Sequence, residues 1–119
     1  MDEIIWNGYG FKVCDFNGSW NEVGGIYIFT GLNYQQNLWV PLYIGQADDF
    51  RNRIPTHERW GQAVQRGATH VHAMVVPQAA RRAAIERELI TTFQPALNVQ
   101  LRSLEAFASI LLGPTFARA

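Results

Sequence analysis

The sequence predicts an α+β domain in which a small antiparallel sheet of about three strands is flanked by helices. Aromatic and β-branched runs at 25–30 and 38–45, bounded by turn residues, supply the first two strands. A strongly helical pattern at 78–93, ended by Pro95, supplies the main helix. A third strand-like run, 69–76, lies between them. The chain has 119 residues, 48% hydrophobic and 17% charged, which suits a packed globule rather than a disordered segment. One domain over 1–119 accommodates it, with 1–23 as a lead-in, 24–100 as the core and 101–119 as a terminal helix and tail.

Taken in order, Phe11–Phe16 alternates and is closed by the turn pair Asn17-Gly18. Gly25–Thr30 reads as a buried strand, Gly31–Asn37 as a polar turn, and Leu38–Gly45 as the returning strand. Pro41 has no amide to donate, so that strand is expected at an edge or with a bulge. Asp48-Asp49 is placed to cap a helix beginning near Phe50. Pro55 breaks it, and Thr56 is placed to cap a second helix from His57 to about Arg66, ended by Gly67. Thr69–Val76 is strand-like and stops at Pro77. Ala79, Ala83, Ile85, Leu89, Ile90 and Phe93 then form the apolar face of the long helix. A last amphipathic helix is expected from Ser103 to Leu112. Its Leu104, Phe107, Ile110 and Leu111 either pack on their own domain or dock on a partner.

Several classes are excluded. The apolar run Ala106–Leu112 is far shorter than the ~20 residues a membrane span needs. Met1-Asp2-Glu3 opens without an apolar stretch behind a basic start, so no secretory signal is expected. Cys14 is the one cysteine and forms no internal disulfide. The expected location is cytoplasmic, with no membrane partner. Formal net charge is zero, yet residues 1–50 carry six acids against Lys12, and residues 51–102 carry eight arginines against three glutamates. Arginine grips phosphate through a planar fork, so this segment is either a solvated helical surface or an anion-binding one.

Five features fall at informative spacings: Gly25-Ile26-Tyr27; Tyr43-Ile44-Gly45; Arg53, ten residues after Tyr43; Glu86 within Ile85-Glu86-Arg87-Glu88-Leu89-Ile90; and Pro95-Ala96-Leu97-Asn98. Together they resemble the GIY-YIG nuclease domain family over about residues 24–100. The resemblance implies an endonuclease that hydrolyses phosphodiesters around one divalent cation, Mg2+ or Mn2+, with DNA expected before RNA. In that family specificity commonly comes from appended domains, so a homodimer or a partner protein is expected to supply it here.

The chemistry gives each residue a reason. Tyr27 and Tyr43 lie near facing ends of adjacent strands, so their phenols converge if the hairpin pairs normally. In the resembled family such a tyrosine contacts the attacking water. A free phenol, with a pKa of about 10, is a poor base at neutral pH and needs a nearby cation. His57, four residues after Arg53, is an alternative base because its ordinary pKa is near neutral. Which of Tyr27, Tyr43 and His57 takes the proton stays open. The resemblance makes Arg53 the group that holds the scissile phosphate. Arg51, two positions away, points elsewhere and is expected at the surface or on a backbone phosphate.

Glu86 is the metal ligand the resemblance implies, and one carboxylate with waters suits Mg2+. Glu88 competes on residue type but is expected to face solvent. Asn98 is expected to orient active-site groups through hydrogen bonds, or to be a turn residue near Pro95. Gln46 stands where some family members carry lysine; it is expected to contact substrate without bringing charge. His70 and His72, two apart on one strand face, make a weak metal pair without a third ligand. Trp39, Trp60 and Tyr34 either stack on bases or pack the core. Two other readings remain: a catalytically weak nucleic-acid-binding module, and a protein-interaction domain that keeps the nuclease fold.

Overall fold

The computed structural model describes residues 3–99. Its strands are β1 (Glu3–Trp6), β2 (Tyr9–Cys14), β3 (Gly25–Asn33), β4 (Leu38–Ala47) and β5 (His70–Val75). Its helices are α1 (Phe50–Arg53), α2 (Trp60–Gln65) and α3 (Ala79–Phe93). All strand pairs are antiparallel, in one five-stranded sheet ordered β1-β2-β5-β3-β4. The α+β class is as expected, but the sheet has five strands where the sequence predicts about three.

The extra strands come from the segment read as a lead-in. Asn7 and Gly8 both take positive φ (52° and 86°) and close a tight hairpin between β1 and β2, which is the turn Asn-Gly favours. β2 then pairs with β5. The hairpin is pinned to α3 by Glu88, which accepts hydrogen bonds from Asn7 Nδ2 (2.6 Å) and the Tyr9 hydroxyl (2.8 Å). Glu88 is exposed, as expected.

Residues 31–33, read as turn, continue β3 in register with β4, and only 34–37 form the turn. Pro41 meets both conditions set for it. β4 is an edge strand, and its register slips between Phe29 and Thr30, leaving Leu42 as the extra residue.

β3 is buried on both faces. Ile26 and Ile28 pack with Phe11, Ile44, Ile85 and Leu89 on the α3 side. Tyr27 and Phe29 pack with Phe50, Ile54, Ala63 and Leu97 on the α1–α2 side. α3 ends at Gln94, a left-handed residue (φ 46°) whose amide still bonds Ile90 O, just before Pro95. Asp49 caps α1 by accepting from Arg51 N, as predicted.

The second helix is shorter than the expected 57–66 and begins at Trp60. Thr56 does not cap it; its hydroxyl donates back to Asn52 O at 3.3 Å. The His57 ring takes the local amide instead, with Nδ1 accepting from Arg59 N at 3.0 Å. The predicted helix at 103–112 lies outside the described residues. Among those described, no helix is long and apolar enough to cross a membrane.

Two buried polar clamps tie the layers together. Trp6 Nε1 donates to His72 Nδ1 at 2.9 Å. His70 and His72 also meet the Trp39 ring edge-on, at 5.2 and 4.6 Å. The Arg82 side chain, on α3, is buried: Nη1 donates to Val76 O and Pro77 O, and Nη2 to Asp48 Oδ1 at 2.6 Å. A side chain at Gly24 would collide with that guanidinium, so the close approach requires glycine.

Trp6→Phe keeps a ring in the core but leaves the buried His72 Nδ1 without its donor. The expected cost, read by urea denaturation, is about 1–3 kcal/mol.

Candidate active site

In the β3–β4 register, Tyr27 stands opposite Gly45 and Tyr43 opposite Phe29. The two tyrosines are therefore diagonal neighbours on one sheet face, with ring centroids 6.3 Å apart. The Tyr27 ring lies directly across Gly45, where any Cβ would run into the phenol. The last position of Tyr-Ile-Gly is glycine for that steric reason.

His57 sits in the turn between α1 and α2, 5% exposed, against the rings of Phe29 and Tyr43. Its Nε2 is 2.6 Å from the Tyr27 hydroxyl oxygen. Because Nδ1 accepts the Arg59 amide, a neutral ring carries its proton on Nε2 and donates it to Tyr27. The Tyr27 hydroxyl then keeps its own proton to donate elsewhere. Burial, followed by the Arg53 charge, holds His57 at about 4. Burial and then Tyr43 push Tyr27 far above the ordinary phenol range. Tyr43 is raised by burial first and by the Glu86 charge second, and lowered by Arg53. Among the described residues its hydroxyl makes no hydrogen bond.

Arg53 ends α1 and is gripped by Glu58 in a two-pronged ion pair, at 2.8 and 3.0 Å. The hydrogen bonds from Arg53 hold the Glu58 carboxyl down at about 2. Sequence reasoning missed Glu58, since an acid five residues away across Pro55 is at no helical spacing. Pro55 breaks the helix as expected: α1 stops at Arg53, and the turn that follows brings His57 to Tyr27.

Glu86 is half-buried on α3, which covers the other sheet face; burial raises its pKa. Its Oε1 accepts from Gln46 Nε2 at 3.0 Å. Gln46 is shared by two hollows. One is lined also by Ala83, Glu86, Arg87, Ile90 and Thr91. The other is lined by Ala47, Asp48, Asp49, Asn52 and Arg53. Asn98 grips Ile44, the middle of the second tripeptide, accepting from its amide (2.8 Å) and donating to its carbonyl (3.0 Å). In effect it stands in for a neighbouring strand on the free edge of β4.

The structure thus brings Tyr27, Tyr43 and His57 into contact, sets Arg53 beside them, and joins Glu86 to Gln46 around the β4 edge. Arg51 is not drawn in; it pairs with Glu22 at 2.9 Å on the surface. Trp60 stacks on Phe16 at 4.4 Å, whereas Tyr34 is exposed in the β3–β4 turn. Among the described residues no group of three or more His, Cys, Asp or Glu side chains could hold a metal. Glu86 is the half-buried carboxylate beside the tyrosines.

No protein-family model matches the chain. UvrABC system protein C from Anaplasma marginale (strain St. Maries) is 27% identical over 97 residues. That match spans 76% of this chain and 15% of that protein's length. Among solved structures, the chain is similar to the GIY-YIG N-terminal endonuclease domain of UvrC from Thermotoga maritima with magnesium bound as its catalytic divalent cation. The TM-score is 0.52 at 25% identity, covering 65% of this chain and 84% of that one. A point mutant of the same domain, also bound to its catalytic divalent cation, matches with a TM-score of 0.52 at 27% identity, covering 65% and 83%.

Two expectations follow from the geometry. Gly45→Ala forces the Tyr27 ring off its seat, at a cost of about 1–3 kcal/mol; the downfield His57 Nε2–H signal should be lost from the proton NMR spectrum. His57 and His72 are both held at about 4, mainly by burial, below an ordinary value of 6.5. The unfolded chain therefore binds their protons more readily than the folded one. Stability contributed by these rings is full above pH 6.5 and falls as pH drops toward 4. Denaturant titrations across that range should show the loss, with a shallower slope in His72→Gln.

Proposed function

Taking this chain as a domain of the GIY-YIG endonuclease type, we propose that it hydrolyses DNA phosphodiester bonds with one divalent cation held at Glu86. The observation that carries the reading is the meeting, on either side of Gln46, of a half-buried carboxylate and a guanidinium beside two tyrosines. The residues present fit such a cation. Burial raises the Glu86 carboxyl while the Gln46 hydrogen bond lowers it, and its Oε2 has no protein partner among the described residues. Mg2+ commonly takes one or two carboxylates with waters. Bound there, it neutralises charge on the phosphate and supports ionisation of a nearby hydroxyl.

Arg53 binds the scissile phosphate through the fork that Glu58 holds in the free protein. His57 is a poor proton acceptor here: both ring nitrogens are engaged and burial depresses its basicity. Its role is to hold Tyr27 and to donate to the Tyr27 oxygen. Tyr43, as phenolate, takes the proton of the attacking water, since its hydroxyl is unengaged and Glu86 is the strongest charge acting on it. At rest its phenol is protonated, so it first releases that proton to solvent; the phenolate then takes the water's proton and the neutral phenol is restored. Asn98 keeps the Tyr43-Ile44-Gly45 backbone in place.

The test uses supercoiled plasmid, branched DNA and RNA at modest salt with Mg2+ or Mn2+. Wild type should cut DNA, and Glu86→Gln should not. Arg53→Ala should lose about 10²–10³ in rate, as removal of a transition-state donor does elsewhere. Tyr43→Phe should lose about 10²–10⁴, the scale of a missing general base. Salt-sensitive binding without cutting would leave a nucleic-acid-binding module; neither binding nor cutting would sink the reading.

A further inference from the structure

We infer that Gln46 is a positioning residue for the cation: its side-chain amide fixes the Glu86 carboxylate so that one oxygen is held and the other faces the ion. The inference rests on the endonuclease reading and gives Gln46 a different task from contact with substrate.

The bond itself comes first. Gln46 Nε2 donates to Glu86 Oε1 at 3.0 Å. As a cation ligand the Glu86 carboxylate is ionised and only accepts, so it takes the amino end of the Gln46 amide. The last torsion of a glutamate is broad, and an unheld carboxylate would sample many orientations. With Oε1 engaged, rotation is restricted and Oε2 becomes the free ligand.

The donor also has a firm base. Gln46 lies on β4 opposite Ile26, whose strand is buried on both faces. Two residues earlier, Asn98 grips both backbone groups of Ile44 at the outer edge of the same strand. Gln46 therefore reaches out from a strand braced on its inner side by β3 and on its outer side by Asn98. Glu86 comes from α3, so the bond sets the carboxylate relative to the sheet that carries Tyr43.

Its place in the cleft is equally specific. Gln46 walls both the Glu86 hollow and the Arg53 hollow. A side chain fixed there controls where a cation sits relative to a phosphate on Arg53. Partners that orient a metal ligand typically matter by about 10–100-fold in metal affinity or activity.

The experiment measures Mn2+ binding to the full chain by electron paramagnetic resonance titration, without DNA. Gln46→Met keeps length and volume but cannot donate. It should bind Mn2+ about tenfold more weakly or worse, with an unchanged melting temperature. In plasmid cutting, the Mn2+ concentration for half-maximal rate should rise in step, while the rate at saturating Mn2+ stays within a few-fold of wild type. Equal Mn2+ affinity in wild type and Gln46→Met, with Glu86→Gln unable to bind, overturns the positioning role and leaves the endonuclease reading standing. Binding that survives Glu86→Gln, or that wild type lacks, removes both.

Discussion

Because β3 is buried on both faces, its alternation has to serve two cores at once. Ile26 and Ile28 go to the layer under α3, while Tyr27 and Phe29 go to the layer under α1 and α2. A strand that commits both faces to packing leaves no open surface above itself for chemistry. The tyrosine–histidine group and the Glu86 carboxylate therefore lie on opposite sides of the sheet, and they approach each other at its edge. β4 provides that edge. Asn98 meets the backbone needs of Ile44 there without laying another strand across the opening.

Much of this was legible in the sequence because it depends on local chemistry. The aromatic and β-branched run at β3, Pro41 at an edge with a bulge, Asp49 as a cap and the apolar stripe of α3 all follow from properties of neighbouring residues. The hairpin at Asn7-Gly8 had a readable signal as well, an Asn-Gly pair between apolar residues. The strand before it, Glu3–Trp6, has only four residues, too few to show an alternation. Tertiary pairings were out of reach. Nothing near Trp6 in sequence announces His72, and nothing near Glu58 announces its grip on Arg53 across the Pro55 turn.

Spacing singled out the candidate residues, but their engagements required the fold. Tyr27 and Tyr43 were expected to converge, and they do so diagonally because Gly45 rather than Tyr43 stands opposite Tyr27. The arginine-rich segment is less uniform than its count suggests. Arg82 is a buried structural clamp, Arg53 is held by Glu58, and Arg51 is paired with Glu22. Charge counted along the chain thus overstates the positive surface offered to a polyanion, since several of these cations are already neutralised at short range.

The strand order has a kinetic consequence. β1 with β2, and β3 with β4, are hairpins that close over short turns. β5 comes later in the chain yet takes the centre of the sheet, with β2 on one side and β3 on the other. Until residues 70–75 are made and delivered, the two hairpins have no common neighbour, and contacts such as Trp6 to His72, 66 residues apart, have no way to form. Loop-closure entropy is spent before these distant pairings return anything. A chain arrested on the ribosome before β5 would hold both tripeptides in one hairpin and still lack the strand that joins it to the first.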